Sequence, residues 1–315
     1  MEERDPIKLN DRIYLIDGFD LGVPSRTGTY VINEDELTLI ETGPSPSVKY
    51  LKKGLATLGF SPEDVKHIIV THVHLDHAGG AGLFLQQCPN AKVYAHPRGA
   101  RHLVNPRKLA AGARAVYGES FSELFDPIVP IPEERLIEKG EGDTLQIGKN
   151  CILSFLDTPG HAKHHFSIYD PVSNGIFTGD TVGIRYEQLI QEGIELYLPS
   201  TSPNQFDPND MHTAIDRMRR MNLDKIYYGH FGMTENVEQA LGQVSAWLDI
   251  FMEIGEEAVA EGKGYDVLAE RLLAIVREHL SGLGVREEHD VYVLINLDMQ
   301  VSALGIIDYL KKIKQ

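Results

Sequence analysis

The sequence predicts an α/β catalytic domain over residues 1–232 followed by a helical subdomain over residues 233–315. Three observations predict it. Short apolar runs bounded by turn residues alternate with helical patterns through the first two-thirds of the chain. Several of those runs end at a small residue and then present a histidine or an aspartate. Beyond Gly232 the apolar residues recur every three or four positions, the spacing of helix faces.

The strand-like runs are residues 12–16, 29–32, 36–40, 67–71, 91–95, 151–157, 166–169, 175–178 and 225–228. Helical patterns fall between some of them, at 47–58 behind the potential cap Ser47, and at 79–87. Strands interleaved with helices define an α/β class with mixed strand directions. Residues 98–135 interrupt the alternation with a helix at 105–117 that carries Arg107, Lys108 and Arg114, followed by a proline-rich return. A solvated surface helix, a lid over a pocket and a subunit contact in a homo-oligomer all suit that segment. In the last third, Val237, Leu241, Val244, Leu248 and Phe251 form one apolar stripe, and Leu294, Leu297, Val301 and Leu304 another. Stripes of this kind are core packing rather than a cofactor box.

With 46 acidic against 30 basic side chains the net charge is −16, which disfavours nucleic acid as a default partner and favours a small-molecule substrate. The two cysteines, Cys88 and Cys151, are too few for a disulfide framework. The opening Met-Glu-Glu-Arg-Asp lacks the basic and apolar segments of a secretory leader, and no apolar run approaches the roughly 18 residues of a membrane span. A cytoplasmic protein away from the membrane is the expectation.

The chemistry is concentrated in His72-Val73-His74-Leu75-Asp76-His77, which follows the apolar run 67–71. On an extended strand end, alternate side chains share a face, so His72 and His74 point the same way. Asp76 and His77 start from the following turn and reach a second point nearby. Surface histidines are common, but three of them with one aspartate in six residues, flanked by Ala78-Gly79-Gly80, make a spectator role a poor account. Three more strand ends repeat the theme: 153–157 leads to His161, 176–178 to Asp180 and 226–228 to His230. Glycine permits the sharp turn and close approach of a crowded metal edge. Ligands of open α/β sheets gather at strand ends, so these segments are expected to converge.

These residues resemble the motifs of the metallo-beta-lactamase superfamily, which includes glyoxalase II, lactonases and ribonuclease Z-like nucleases; the resemblance covers about residues 10–232. It implies a four-layer αβ/βα sandwich of two mixed sheets with the metals at one edge. It also implies one metal ion on His72, His74 and His161, a second on Asp76, His77 and His230, and Asp180 bridging the two. The chain has Glu41-Thr42-Gly43 where the family commonly has Asp-Thr-Gly, and Glu41 is taken as a residue behind the ligands. The helical extension varies across the superfamily and identifies no substrate.

The activity so implied is hydrolysis of an ester, thioester or lactone by hydroxide held between two divalent ions, with Asp76 orienting the nucleophile and passing its proton on. A bound divalent ion lowers the pKa of its water to about 7, so no serine or cysteine nucleophile is needed. Imidazoles with carboxylates suit zinc, and iron or manganese can occupy the same set. His165 is read as a neighbour of the ligands, His164 as exposed and His96 as structural. Arg185 and Tyr186 are substrate-contact candidates, because loops beside a site carry binding groups. Two other readings use the same frame. One is a phosphodiesterase or endoribonuclease, which would need a basic groove. The other is an iron-dependent redox enzyme, disfavoured because His74 stands where the flavin-linked diiron branch usually has glutamate.

Overall fold

The computed structural model describes residues 4–314; Met1, Glu2 and Glu3, on which the leader expectation partly rests, lie outside them. The strands are β1 (Ile7–Lys8), β2 (Ile13–Asp17), β3 (Gly28–Ile32), β4 (Leu37–Ile40), β5 (Val65–Ile69), β6 (Lys92–Ala95), β7 (Leu136–Glu138), β8 (Thr144–Gly148), β9 (Cys151–Asp157), β10 (Phe166–Asp170), β11 (Gly175–Phe177), β12 (Ile184–Arg185), β13 (Tyr197–Leu198), β14 (Lys225–Tyr227) and β15 (Met233–Thr234). The α-helices are α1 (Val48–Thr57), α2 (Leu75–Ala78), α3 (Ala81–Leu85), α4 (Pro97–Val104), α5 (Arg107–Tyr117), α6 (Phe121–Phe125), α7 (Glu187–Ile190), α8 (Pro208–Arg220), α9 (Val237–Ala260), α10 (Tyr265–Gly282) and α11 (Val291–Ile313).

The chain divides into two compact units. The first takes the chain up to Asp157 together with His164–Gly179 and Leu223–Glu235; the second takes Thr158–Lys163, Asp180–Asn222 and the chain from Asn236 on. The sequence pattern predicts a single cut at 232/233. The last helices instead cluster with two segments of the earlier sequence. Polar ties hold that unit together: Tyr186 donates its hydroxyl to Asp298 at 2.9 Å, and Thr201 donates to the Ser302 carbonyl at 2.9 Å. Gln243 of α9 donates to the Glu195 carbonyl at 3.0 Å.

Within the first unit, β1 to β7 form one sheet in sequence order, antiparallel from β1 to β4 and parallel from β4 to β7. The second sheet runs β15-β14-β11-β10-β9-β8, with β11 and β14 parallel and the other pairs antiparallel. Period-two alternation explains how the layers assemble. Ile13, Leu15, Tyr30, Ile32, Ile40 and Ile69 of the first sheet pack against Leu153, Phe155, Phe166, Ile168, Phe177 and Tyr227 of the second. The opposite face of the first sheet, including Val31, Leu39, Ile68 and Val93, packs on Val48, Leu51 and Leu55 of α1 and on Phe84 and Leu85 of α3. Both cysteines are free thiols in these cores, and burial pushes each up to about 12, so neither is a nucleophile at neutral pH.

In the second unit α9, α10 and α11 pack through Leu241, Val244, Leu248, Phe251, Leu272, Val276, Ile295, Met299 and Ile306, all fully buried. The expectation that no apolar run reaches membrane length is corrected here. The 23-residue α11 contains an 18-residue window long and apolar enough to cross a membrane by length and composition, with mean hydropathy 1.4. However, 61% of that window is buried within the protein and it includes the buried Asp298, as expected of a core helix.

Candidate metal centre

The apolar strand β5 ends just before Thr71, and the next residues carry the histidine cluster into α2. His72 and His74 have ring centroids 4.6 Å apart, and His72 and His77 4.3 Å apart. Asp76 Oδ2 lies 3.5 Å from His77 Nε2 and 3.6 Å from His230 Nε2. The side chains of His77 and His230 are 1% and 5% exposed whereas that of Asp76 is 23% exposed, so the carboxylate is the solvent-facing member of the group. Ligand atoms of Asp76, His77 and His230 lie within 4.8 Å of one another, as do those of Glu41, His72 and His77. Such a set can hold metal ions, and its mix of imidazole and carboxylate suits a borderline divalent ion.

Two glycines make the crowding possible. Gly179 has φ +49°, and a Cβ there would lie 2.4 Å from Thr71 Oγ1 and 2.5 Å from His165 Nε2. A Cβ on Gly229 would lie 2.7 Å from His77 Cε1. The glycines that precede Asp180 and His230 in sequence thus let the strand ends approach the cluster without clash.

The orientation of the rings follows from the groups behind them. Glu41, at φ 65°, accepts the Thr71 backbone N–H at 3.2 Å and also the Thr71 hydroxyl. That hydroxyl points its proton at the carboxylate, so at 3.0 Å it accepts from His72 Nδ1–H, which places the lone pair of His72 on Nε2, the nitrogen that could bind a metal. Glu41 Oε1 also lies 3.7 Å from His77 Nδ1. The longer side chain therefore still reaches the histidines. Oε1 of Glu41 is thus committed to Thr71, while its buried Oε2 has no hydrogen-bond partner among the described residues and stays in reach of the group that includes His72 and His77. The neighbouring turn is tied to the same place: Thr42 N–H donates to the His77 carbonyl at 3.0 Å and Gly80 N–H to the Gly43 carbonyl at 2.8 Å.

In the second unit, His161 Nδ1 sits 2.9 Å from the Ser200 carbonyl, which can only accept, so Nδ1 carries the proton and Nε2 the lone pair. Nε2 lies 3.7 Å from Asp180 Oδ2 and 3.4 Å from Ser202 Oγ, and Ser200 Oγ donates to Asp180 at 3.2 Å. His161 and Asp180 are therefore together and buried, as are His72, His77 and His230 in the first unit.

The remaining candidates sort by what they touch. His165 is fully buried with its ring 5.1 Å from that of His72. His164, expected to be exposed, is buried and stacked parallel to His72 at 6.3 Å, because the chain turns inward ahead of β10. His96 caps α4 by accepting the Arg98 N–H at 3.1 Å, and its Nε2 lies 3.4 Å from Asp157. Arg185 pairs with Glu187, while the hydroxyl of the fully buried Tyr186 is engaged by Asp298.

Residue-by-residue reading of the sequence missed Thr71, Ser200, Ser202 and Asp20. Thr71 could have been suspected from its place directly before His72; the serines carry no local signal. Asp20 lies in the loop between β2 and β3, where Phe19, Leu21 and Ser25 all have left-handed backbones. Asp17 holds this loop by accepting the N–H groups of Phe19 at 2.9 Å and Ser25 at 2.8 Å. Asp20 is 2% exposed and 3.3 Å from Arg26. Burial pushes its carboxyl up to about 6; Arg26 pulls it down and the charge of Asp76 adds to the rise.

That shift has a sign. The folded chain holds a proton at Asp20 that the unfolded chain has released between about pH 4 and pH 6, so this stability is fully present below pH 4 and lost as pH rises through 6. In chelator-treated protein, urea titrations should show wild type losing about 3 kcal/mol relative to Asp20→Asn between pH 4 and pH 7. A pH-independent difference between the two would mean that Asp20 is solvated.

A family model described as the metallo-beta-lactamase superfamily matches residues 23–230, about two-thirds of the chain. The chain belongs to this superfamily. Among the superfamily's solved structures, a metallo-beta-lactamase family protein from Thermus thermophilus superposes with TM-score 0.70 at 22% identity, covering 98% of this chain and 95% of the other. A metallo-beta-lactamase fold-containing protein of Sulfurisphaera tokodaii is 24% identical over 237 residues, 72% of this chain and 83% of that protein. A hydroxyacylglutathione hydrolase of Legionella pneumophila is 26% identical over 147 residues, 46% of this chain and 42% of its own length. The mixed α/β superfamily fold and membership of its metal-dependent hydrolases are thereby established for this chain.

Proposed function

We propose that the chain hydrolyses an ester, thioester or lactone bond of a small molecule at a centre of two divalent ions, most suitably zinc. The observation that carries this reading is the Asp76–His77–His230 group, in which a partly exposed carboxylate is flanked by two buried imidazoles at 3.5 and 3.6 Å. The superfamily pattern assigns His72, His74 and His161 to one ion, Asp76, His77 and His230 to the other, and Asp180 to both. When bound, such ions supply hydroxide at neutral pH and a Lewis acid for the substrate oxygen. The chain's own residues do the rest. Thr71 and Ser200 fix the protonation of His72 and His161, and Glu41 holds Thr71. Asp76, alone among the acidic candidates in facing solvent, accepts the proton of the attacking water and returns it to the leaving group. Similarity to a hydroxyacylglutathione hydrolase supports a thioester or a related acyl bond.

The test is elemental analysis of freshly purified protein beside Asp180→Ala, followed by an ester, thioester and lactone panel. About two zinc per chain, reduced in the variant, with turnover of one bond class is the expected result. Iron in place of zinc with oxygen consumption, or activity confined to phosphodiesters, would overturn the reading.

A further inference from the structure

From His77 to Gly118 the chain contains no aspartate or glutamate, yet it carries Lys92, Arg98, Arg101, Arg107, Lys108 and Arg114, in a protein of net charge −16. A one-signed segment inside a chain of opposite sign creates a local field instead of merely adding solubility. Helix α5 has no fully buried residue, and Arg98, Arg101, Arg107 and Lys108 are exposed. Arg114 lies with its guanidinium 3.9 Å over the Phe121 ring and 3.5 Å from Asp126, and Arg101 Nε donates to His102 Nε2 at 3.4 Å. The charges of the two helices act on a common point, since Arg101 and Lys108 both help burial hold His102 below the ordinary histidine range.

The helices are seated on the histidine motif itself. Gly99 of α4 lies so close to Val73, between His72 and His74, that a Cβ there would be 2.7 Å from Val73 Cγ1. Leu75, next to Asp76, packs with Phe121 and Phe125, and Leu109 and Ala113 of α5 close over the same cluster. Helices α4 and α5 thus stand against the segment that carries the residues proposed to perform the hydrolysis.

We propose that Arg98, Arg101, Arg107 and Lys108 bind the phosphate-bearing carrier portion of the substrate, so that the hydrolysed molecule is an acyl ester or thioester of a phosphorylated carrier. This rests on the hydrolase reading above and narrows it. Arginine forks match phosphate oxygens two at a time and stay charged at every working pH, which suits a multiply charged phosphate better than a single carboxylate. A polynucleotide would need a long basic track, and the remainder of this acidic chain repels one.

The test uses the metal-loaded protein and two thioesters that share acyl group and thiol, S-acetyl-pantetheine and S-acetyl-4′-phosphopantetheine, at low and high salt. Wild type should prefer the phosphorylated thioester by about tenfold in kcat/KM at low salt, through KM, and lose the preference as salt screens the charges. Arg107→Glu/Lys108→Glu, at exposed positions that should leave the melting temperature unaltered, should bring the ratio to about one. An unchanged ratio in the variant, or a wild-type ratio near one, overturns the proposal. If neither thioester is hydrolysed, the hydrolase reading is what suffers. Calorimetric titration with 4′-phosphopantetheine then decides separately: salt-sensitive binding lost in the variant supports the phosphate surface, and no binding overturns it. Tighter binding of a 20-nucleotide RNA, lost in the same variant, would assign the surface to nucleic acid and also overturn the proposal.

Discussion

Asp76→Ala should lower kcat/KM for the hydrolysed bond by about a thousandfold or more, with the loss falling on kcat. Asp76 lies between His77 and His230 and is the partly exposed member of that group. The substitution removes both a proposed ligand atom and the carboxylate of that group, which is placed to exchange protons with solvent. Metal content separates the two contributions: Asp76→Ala should bind about one ion fewer, whereas Asp76→Asn, which keeps an oxygen donor but is a poor base, should retain more metal and remain slow. Turnover in Asp76→Ala within about tenfold of wild type would show that the proton passes elsewhere. With metal removed by chelator, both variants should melt close to wild type because Asp76 is partly exposed, so a large activity loss cannot be put down to a fold that needs the Asp76 side chain.

The second large effect is structural and starts far away in sequence. A Cβ added at Gly305, in the middle of α11, would lie 1.8 Å from the Thr201 carbonyl oxygen and 2.8 Å from the Ser202 carbonyl carbon. These are backbone atoms, and Thr201 is itself tied to α11 by its hydrogen bond to the Ser302 carbonyl at 2.9 Å, so neither side can yield by a rotamer change. Gly305→Ala should cost about 3 kcal/mol or more and lower the melting temperature by about 6 °C or more, although alanine is the better helix former. The damage should reach the ligands. The displaced segment includes Ser200, whose carbonyl holds His161 Nδ1 at 2.9 Å and whose hydroxyl donates to Asp180 at 3.2 Å. Metal affinity should therefore fall together with stability, by about ten- to a hundredfold as for lost supporting contacts elsewhere. A melting temperature within a degree or two of wild type would show that the 200–202 backbone accommodates the added methyl group.

Much of this protein is legible in its residues. Short apolar runs mark the strands, because a sheet with both faces covered selects apolar β-formers at successive positions. Three histidines and an aspartate in six residues mark the chemistry, because nothing in core packing calls for that combination. The glycines before Asp180 and His230 are legible as close approaches, and the structure places Thr71, His165 and His77 where their missing side chains would be. The apolar stripes after Gly232 are legible as helices, and α9 to α11 carry them.

What the sequence by itself determined is local: strand and helix periods, the density of ligand-type side chains, and the superfamily they define. Only the tertiary structure decided which distant segments share a core, because burial is a property of the assembled chain. The last three helices look like a separate subdomain in sequence, yet they pack in one unit with residues 158–163 and 180–222, joined by Tyr186–Asp298 and Thr201–Ser302. The same holds for the groups behind the ligands. Glu41 reaches Thr71 across 30 positions, Ser200 reaches His161 across 39, and Asp20 titrates near 6 because folding buries it beside Arg26 and within the field of Asp76. Hydrogen bonds and electric fields act over a few ångströms of space, so no spacing along the chain announces them.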